Sequence, residues 1–132
     1  MERLSLKYKD ALEALGTLKE ILKENFSLII RDASIQRFEY TFEAFWKFIK
    51  EYLKEKEGII ANSPKSCFRE LFSLGFISED ETVKLQEMTD KRNNTSHTYK
   101  EEVAQNIYNK IAEYALLMEK ILGNFKNPIK DK

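Results

Sequence analysis

Apolar residues return in this chain every three or four positions, almost without a break, and that period belongs to one regular structure, the amphipathic helix. Leu4, Tyr8, Ala11, Leu15, Leu18 and Leu22 form the first stripe, with Asn25 as its stop. A second long helix is expected from about Asp32 to Lys56 on Ile35, Phe38, Phe42, Phe45, Ile49 and Tyr52, ended by Gly58. "NSPKSCFRELFSLG" supplies Ser63 as N-cap, Pro64 at the first helical position and Gly75 past the last apolar residue, which predicts a short third helix. Ser78 and Glu81 form a capping box that opens a fourth, carrying Val83, Leu85 and Met88 to Arg92, where Asn93 and Asn94 break it. Thr98 and Glu101 form another box, and Val103, Ile107, Ile111, Tyr114, Met118 and Ile121 carry a fifth helix to Gly123. No segment alternates with the β period. Short connections favour antiparallel neighbours, so the expected fold is all-α: an antiparallel up-and-down bundle of four to five helices, long ones first, second and last.

At 132 residues the chain has the length of one ordinary domain. We read 1–125 as a single helical domain and 126–132 as a flexible tail, because "NFKNPIKDK" has turn formers and lysines but no period. Twenty-two basic residues balance twenty-two acidic ones, so there is no global field to draw the molecule onto nucleic acid or a membrane, and any RNA contact must be local. "MERLSLKYKD" is charged where a signal peptide needs an apolar core, and no run is long enough to span a bilayer. A cytoplasmic location is expected. The single cysteine, Cys67, excludes an internal disulfide and reads as a buried small hydrophobe.

The second helix also carries Ala33, Arg37, Tyr40, Ala44 and Phe48 on a different face. This broad surface fits either a central helix packed on several sides or a face that meets another chain. The crowded aromatics Phe42, Phe45, Trp46 and Phe48 read as core.

"KRNNTSHTYKEE" packs nothing, yet holds the only histidine. Arg92 closes the fourth helix, His97 precedes the fifth, and Tyr99 is expected in its first turn. Unpaired amides at a helix start can hold an anion, the Arg fork suits phosphate oxygens, and imidazole moves protons near neutrality. That set suits phosphate-ester chemistry. The alternative is an Arg92 paired with Asp90 or Glu101 and a His97 that shapes a solvated turn. No metal or other cofactor is implied, since one His and one Cys make no zinc site, though clustered carboxylates could hold a loose Mg²⁺. No glycine-rich phosphate loop or catalytic triad is present.

Arg92-Asn93-Asn94-Thr95-Ser96-His97-Thr98-Tyr99 resembles the Arg-x4-His-x-Tyr signature of HEPN proteins. "IQRFEYTFEAFWKFIKEYL", Ile35 to Leu53, is similar to the second helix of their small bacterial branch, the nucleotidyltransferase substrate-binding proteins. The resemblance extends to the helix order over nearly the whole chain. It implies a helical homodimer paired with a cognate minimal nucleotidyltransferase, often as toxin and antitoxin. It further implies that Arg92 and His97 of both subunits share one groove and cut RNA without metal, with Asn93 orienting backbone or phosphate. Gln36, Arg37 and Glu39 would line the groove, and Tyr99 would be the tyrosine that the partner adenylylates. A second implied role is a binding subunit that presents substrate or nucleotide to the transferase without catalysis of its own.

Overall fold

Ser27 decides where the second helix begins. In the computed structural model, which describes residues 2–126, its Oγ accepts a hydrogen bond from the Ile30 amide at 3.0 Å, so the helix starts at Leu28 rather than near Asp32. The apolar period gave no warning because Leu28 and Ile29, 55% and 80% exposed, face away from the core. The helices are α1 (Glu2–Ile21), α2 (Leu28–Tyr52), α3 (Pro64–Ser73), α4 (Glu79–Asn93) and α5 (Glu101–Gly123), and no strand occurs among the described residues. The fold is all-α, with the three long and two short helices expected.

The ends of α2, α3 and α4 follow local chemistry. Beyond Tyr52 the chain widens into a π-helical turn, Leu53–Glu57, and Gly58 closes it at φ 68°, a left-handed conformation that costs other residues strain. Ser63 and Ser66 cap α3 reciprocally behind Pro64, and Gly75 takes φ 83° after its end. Ser78 and Glu81 cap α4 reciprocally.

The start of α5 departs from expectation. Thr98 and Glu101 form no capping box: Thr98 Oγ1 donates to the Thr95 carbonyl at 3.1 Å, Lys100 occupies the N-cap without a side-chain bond, and α5 begins at Glu101. A 3₁₀ turn, Asn94–His97, takes Thr98 as its C-cap, and Tyr99 therefore precedes the helix. Asn93 and Asn94 keep right-handed backbone angles, so their tolerance of left-handed turns is not used.

Consecutive helices run antiparallel, as shown by Arg3 of α1 meeting Glu51 of α2 while Thr17 meets Arg37. Along α4 and α5, Glu81 pairs with Lys120 and Lys84 with Glu113, again antiparallel. The first and last pairs meet through α2 and α5, which run parallel: Phe38 stacks on Tyr114 at 6.0 Å and Phe48 meets Phe125 edge-on at 5.3 Å. Helix α2 is central, touching α1, α3, α4 and α5. Of the two readings of its broad surface, the structure favours packing within the chain: Phe48 is buried, Arg37 donates to the Thr17 carbonyl at 2.7 Å, and Ala33 and Ala44 pack on the core. Phe42, Phe45 and Phe48 are core, as expected, while Trp46 is only half-buried.

Phe125 lies in the segment read as a fraying end, and it belongs to the core. It is fully buried against Phe48, Tyr52 and Phe76. A single aromatic after a helix leaves no period to detect. Of the expected tail 126–132, residues 127–132 lie outside the described residues. Among the described residues no helix is long and apolar enough to cross a membrane.

Candidate functional site

Three polar side chains of α2 grip the segment that links α4 to α5. Glu43 Oε2 lies 2.8 Å from Arg92 Nη2, Glu39 Oε2 accepts a hydrogen bond from Thr95 Oγ1 at 2.7 Å, and Arg31 forks onto Glu101, its Nη2 donating to Oε1 at 3.3 Å. The two partners run in opposite order: 31, 39 and 43 along α2 meet 101, 95 and 92. Spacings of four and eight residues bring side chains back toward one side of a helix, and α2 therefore acts as a straight-edge for a loop that has no core of its own.

Each grip has its own strength. Arg31 is 4% exposed and also contacts Asp32 and Gln105, so its charge is buried but shared among several acceptors. The bond from Arg31 holds the Glu101 carboxyl below the ordinary carboxylate range, and Glu101 in turn raises the Arg31 guanidinium. Thr95, 8% exposed, bonds both Glu39 and the Arg92 carbonyl, the latter at 2.8 Å, so it ties the loop to α2 and to the end of α4 at once. Arg92 is paired with neither of the acids expected, Asp90 or Glu101; those bind Lys65 and Arg31. Its Nε is buried without a hydrogen-bond partner, which leaves part of the fork unspent.

Between these fixed points the chemistry-bearing residues face solvent. His97 and Tyr99 are exposed, Tyr99 at 78%, with ring centroids 6.3 Å apart and steeply inclined. Lys100 Nζ lies 6.0 Å from the Tyr99 ring centroid. Asn93 is exposed at the end of α4, beside Arg92 in sequence. The opening of α5 is a poorer anion seat than a bare helix start, because Glu101 and Glu102 occupy its first turn.

The structure divides the residues expected along α2. Glu39 reaches the loop through Thr95, and Gln36 is exposed on the preceding turn. Arg37 points to α1, bound to the Thr17 carbonyl. Sequence reasoning missed Glu43 and Arg31, the residues that position Arg92 and the start of α5. Glu43 falls within the apolar run "FEAFW", where a carboxylate needs a partner, and this was the available clue. Among the described residues no three His, Cys, Asp or Glu side chains gather as a metal site.

Solved structures with this architecture include a Thermus thermophilus protein, 46% identical, matched over 88% of this chain and 98% of that one with a TM-score of 0.84. A chain of the toxin–antitoxin MntA-HpeT is 12% identical over 96% of this chain and 99% of its own, TM-score 0.80. A chain from the complex of tri-AMPylated Shewanella oneidensis HEPN toxin with MNT antitoxin is 15% identical over 94% and 96%, TM-score 0.76. At such identities the last two show a shared fold. No curated protein matches. The model of the family described as "Nucleotidyltransferase substrate binding protein like" matches residues 4–127, nearly the full length, and the chain belongs to that family, with the fold of the HEPN toxins that pair with MNT antitoxins.

Proposed function

We propose that the protein is the HEPN-type member of a toxin–antitoxin pair: a metal-independent endoribonuclease that works as a homodimer and is silenced by a cognate minimal nucleotidyltransferase. The observation that carries this reading is the α2 straight-edge. It fixes Arg92 and the start of α5 while leaving His97 and Tyr99 open to solvent, which is the arrangement needed for a reactive loop on a rigid base.

The chemistry follows from the side chains. In a single in-line step one imidazole cannot both take the 2′-hydroxyl proton and protonate the 5′-oxygen on the opposite side of the phosphorus. A two-fold axis supplies a second His97. One removes the proton from a ribose 2′-hydroxyl as that oxygen bonds to the adjacent phosphorus. The other protonates the departing 5′-oxygen, leaving a 2′,3′-cyclic phosphate. Arg92, whose side chain is partly exposed beside Glu43, stabilises the charge on the phosphorane. Asn93 binds a phosphate oxygen or the backbone beside it, and Gln36 and Glu39 border the strand. Silencing uses Tyr99: its oxygen attacks the α-phosphate of ATP, pyrophosphate leaves, and the resulting AMP ester fills the groove with bulk and negative charge.

Purified protein without its partner, incubated with RNA in excess chelator, is expected to cut, and the His97→Ala variant to be inactive. Equal cleavage by both, or by neither, overturns the reading. Mass spectrometry after co-expression with the cognate transferase is expected to show AMP on Tyr99.

One observation favours a second reading, a non-catalytic subunit that presents substrate or nucleotide to the transferase. Arg92 is already neutralised by Glu43, and a guanidinium so engaged has less to give a phosphate. Stable co-purification with the transferase, whose activity is unchanged by His97→Ala, supports that alternative.

A further inference from the structure

One turn further along α2 from Glu43, the surface opens into a cavity of about 260 Å³ between the start of α1, the end of α2 and the segment 59–61. Its lining holds five cations, Arg3, Lys7, Lys47, Lys50 and Lys54, against one carboxylate, Glu51. In a chain with no net charge this is a concentrated basic patch. The acids around it are engaged. Glu51 accepts a bond from Arg3 Nε at 3.1 Å, Glu43 sits 3.8 Å from Lys47 at the rim, and Glu55 is held in the same network, its carboxyl lowered chiefly by a hydrogen bond with Glu51. The cavity has an aromatic wall, the half-buried Trp46, with Lys50 Nζ 5.8 Å from its ring centroid.

We propose that this pocket binds one nucleotide of a single-stranded RNA, base against Trp46 and phosphates on Lys47, Lys50 and Lys54, and so leads the strand to Arg92. The inference rests on the ribonuclease reading above. Two features point to RNA rather than another anion. An aromatic plane beside ammonium groups is how proteins hold unpaired bases and their phosphates together. The pocket is also joined to the candidate site by a single side chain: Glu43 accepts from Trp46 Nε1 at 3.2 Å with Oε1 and meets Arg92 with Oε2. The volume lies just below the range of about 300–1,000 Å³ typical of small-ligand pockets, room for one nucleotide unit and no duplex. On binding, the base takes the place of the Lys50 ammonium over the indole, and the ammonium moves to a phosphate.

Trp46 is the only tryptophan in the chain, so its emission reports on this pocket alone. The full-length His97→Ala protein is titrated with a single-stranded RNA oligonucleotide, with AMP and with ATP. RNA is expected to quench the emission and to bind at least tenfold more tightly than either mononucleotide. Lys50→Glu with Lys54→Glu should weaken RNA binding at least tenfold and lower the slope of log affinity against log salt by about 0.7 per lost phosphate contact. Lys7→Glu, on a different helix, should weaken binding independently. RNA binding without quenching, unchanged affinity in the charge-reversed variants, mononucleotides binding as tightly as RNA, or no RNA binding overturns the proposal. Quenching without cleavage by the wild-type protein leaves the pocket standing and removes the nuclease; cleavage without quenching does the reverse.

Discussion

Glu43 and Arg92 form an ion pair at 2.8 Å across the gap between α2 and the end of α4, each side chain about one-third exposed. The carboxylate arises from the central helix, where the neighbouring Phe42 and Phe45 are locked in the core, so its base cannot move far. Arg92 thereby inherits the rigidity of the bundle's interior, although the loop it begins has little packing.

Glu43 is accordingly a positioning residue. Glu43→Gln keeps the shape but removes the charge that orients the guanidinium. In a cleavage assay kcat is expected to fall about tenfold, equivalent to about 1.4 kcal/mol, while KM does not rise, because a carboxylate that repels phosphates is gone. A rise in KM with kcat unchanged would refute the assignment.

Arg31 is buried and depends on Glu101 for much of its compensation. Glu101→Gln is expected to lower Tm at neutral pH. The folded-state pKa of Glu101 is depressed, so its contribution is present above the ordinary carboxylate value of 4.5 and is lost as pH falls through the folded value. The Tm gap between wild type and variant should therefore narrow below about pH 4.5, as thermal melts across pH can test.

Burial pushes the Cys67 thiol up from 9.0 to about 11, and the side chain is fully buried on the inner face of α3. Ionisation is easier in the unfolded chain, so stability is intact below pH 9 and falls as pH rises from 9 to about 11, by about 2–3 kcal/mol. Alkylation by iodoacetamide at pH 8 should be slow in the native protein and rapid in denaturant. Cys67→Ala should flatten the alkaline loss of stability measured by urea unfolding.

Phe125→Ala removes a ring that meets Phe48, Tyr52 and Phe76. A loss of about 3–5 kcal/mol is expected, as for other buried Phe truncations. A change below about 0.5 kcal/mol in a denaturation curve, the size of an ordinary surface effect, would mean the ring does not anchor the end of α5.

Features that depend on nearby residues were legible along the chain. The 3.6-residue period, the Ser63 and Ser78 caps, and the glycines at 58 and 75 act over a few positions, and the structure contains each of them. The Arg92 to Tyr99 motif was equally legible as a string of residue types. Local signals also misled: Thr98 and Glu101 have capping-box spacing, yet Thr98 bonds Thr95 because a 3₁₀ turn already uses that stretch. Which side chains of α2 meet the loop, by contrast, emerges from packing alone. Glu43 lies 49 positions from Arg92 and Arg31 lies 70 from Glu101, separations at which no periodicity carries information. Arg31 meets Glu101 because the parallel packing of α2 and α5 places the start of one beside the start of the other, and Glu43 meets Arg92 because the end of α4 packs against the middle of α2. A charge buried by that packing must find its partner across space rather than along the chain.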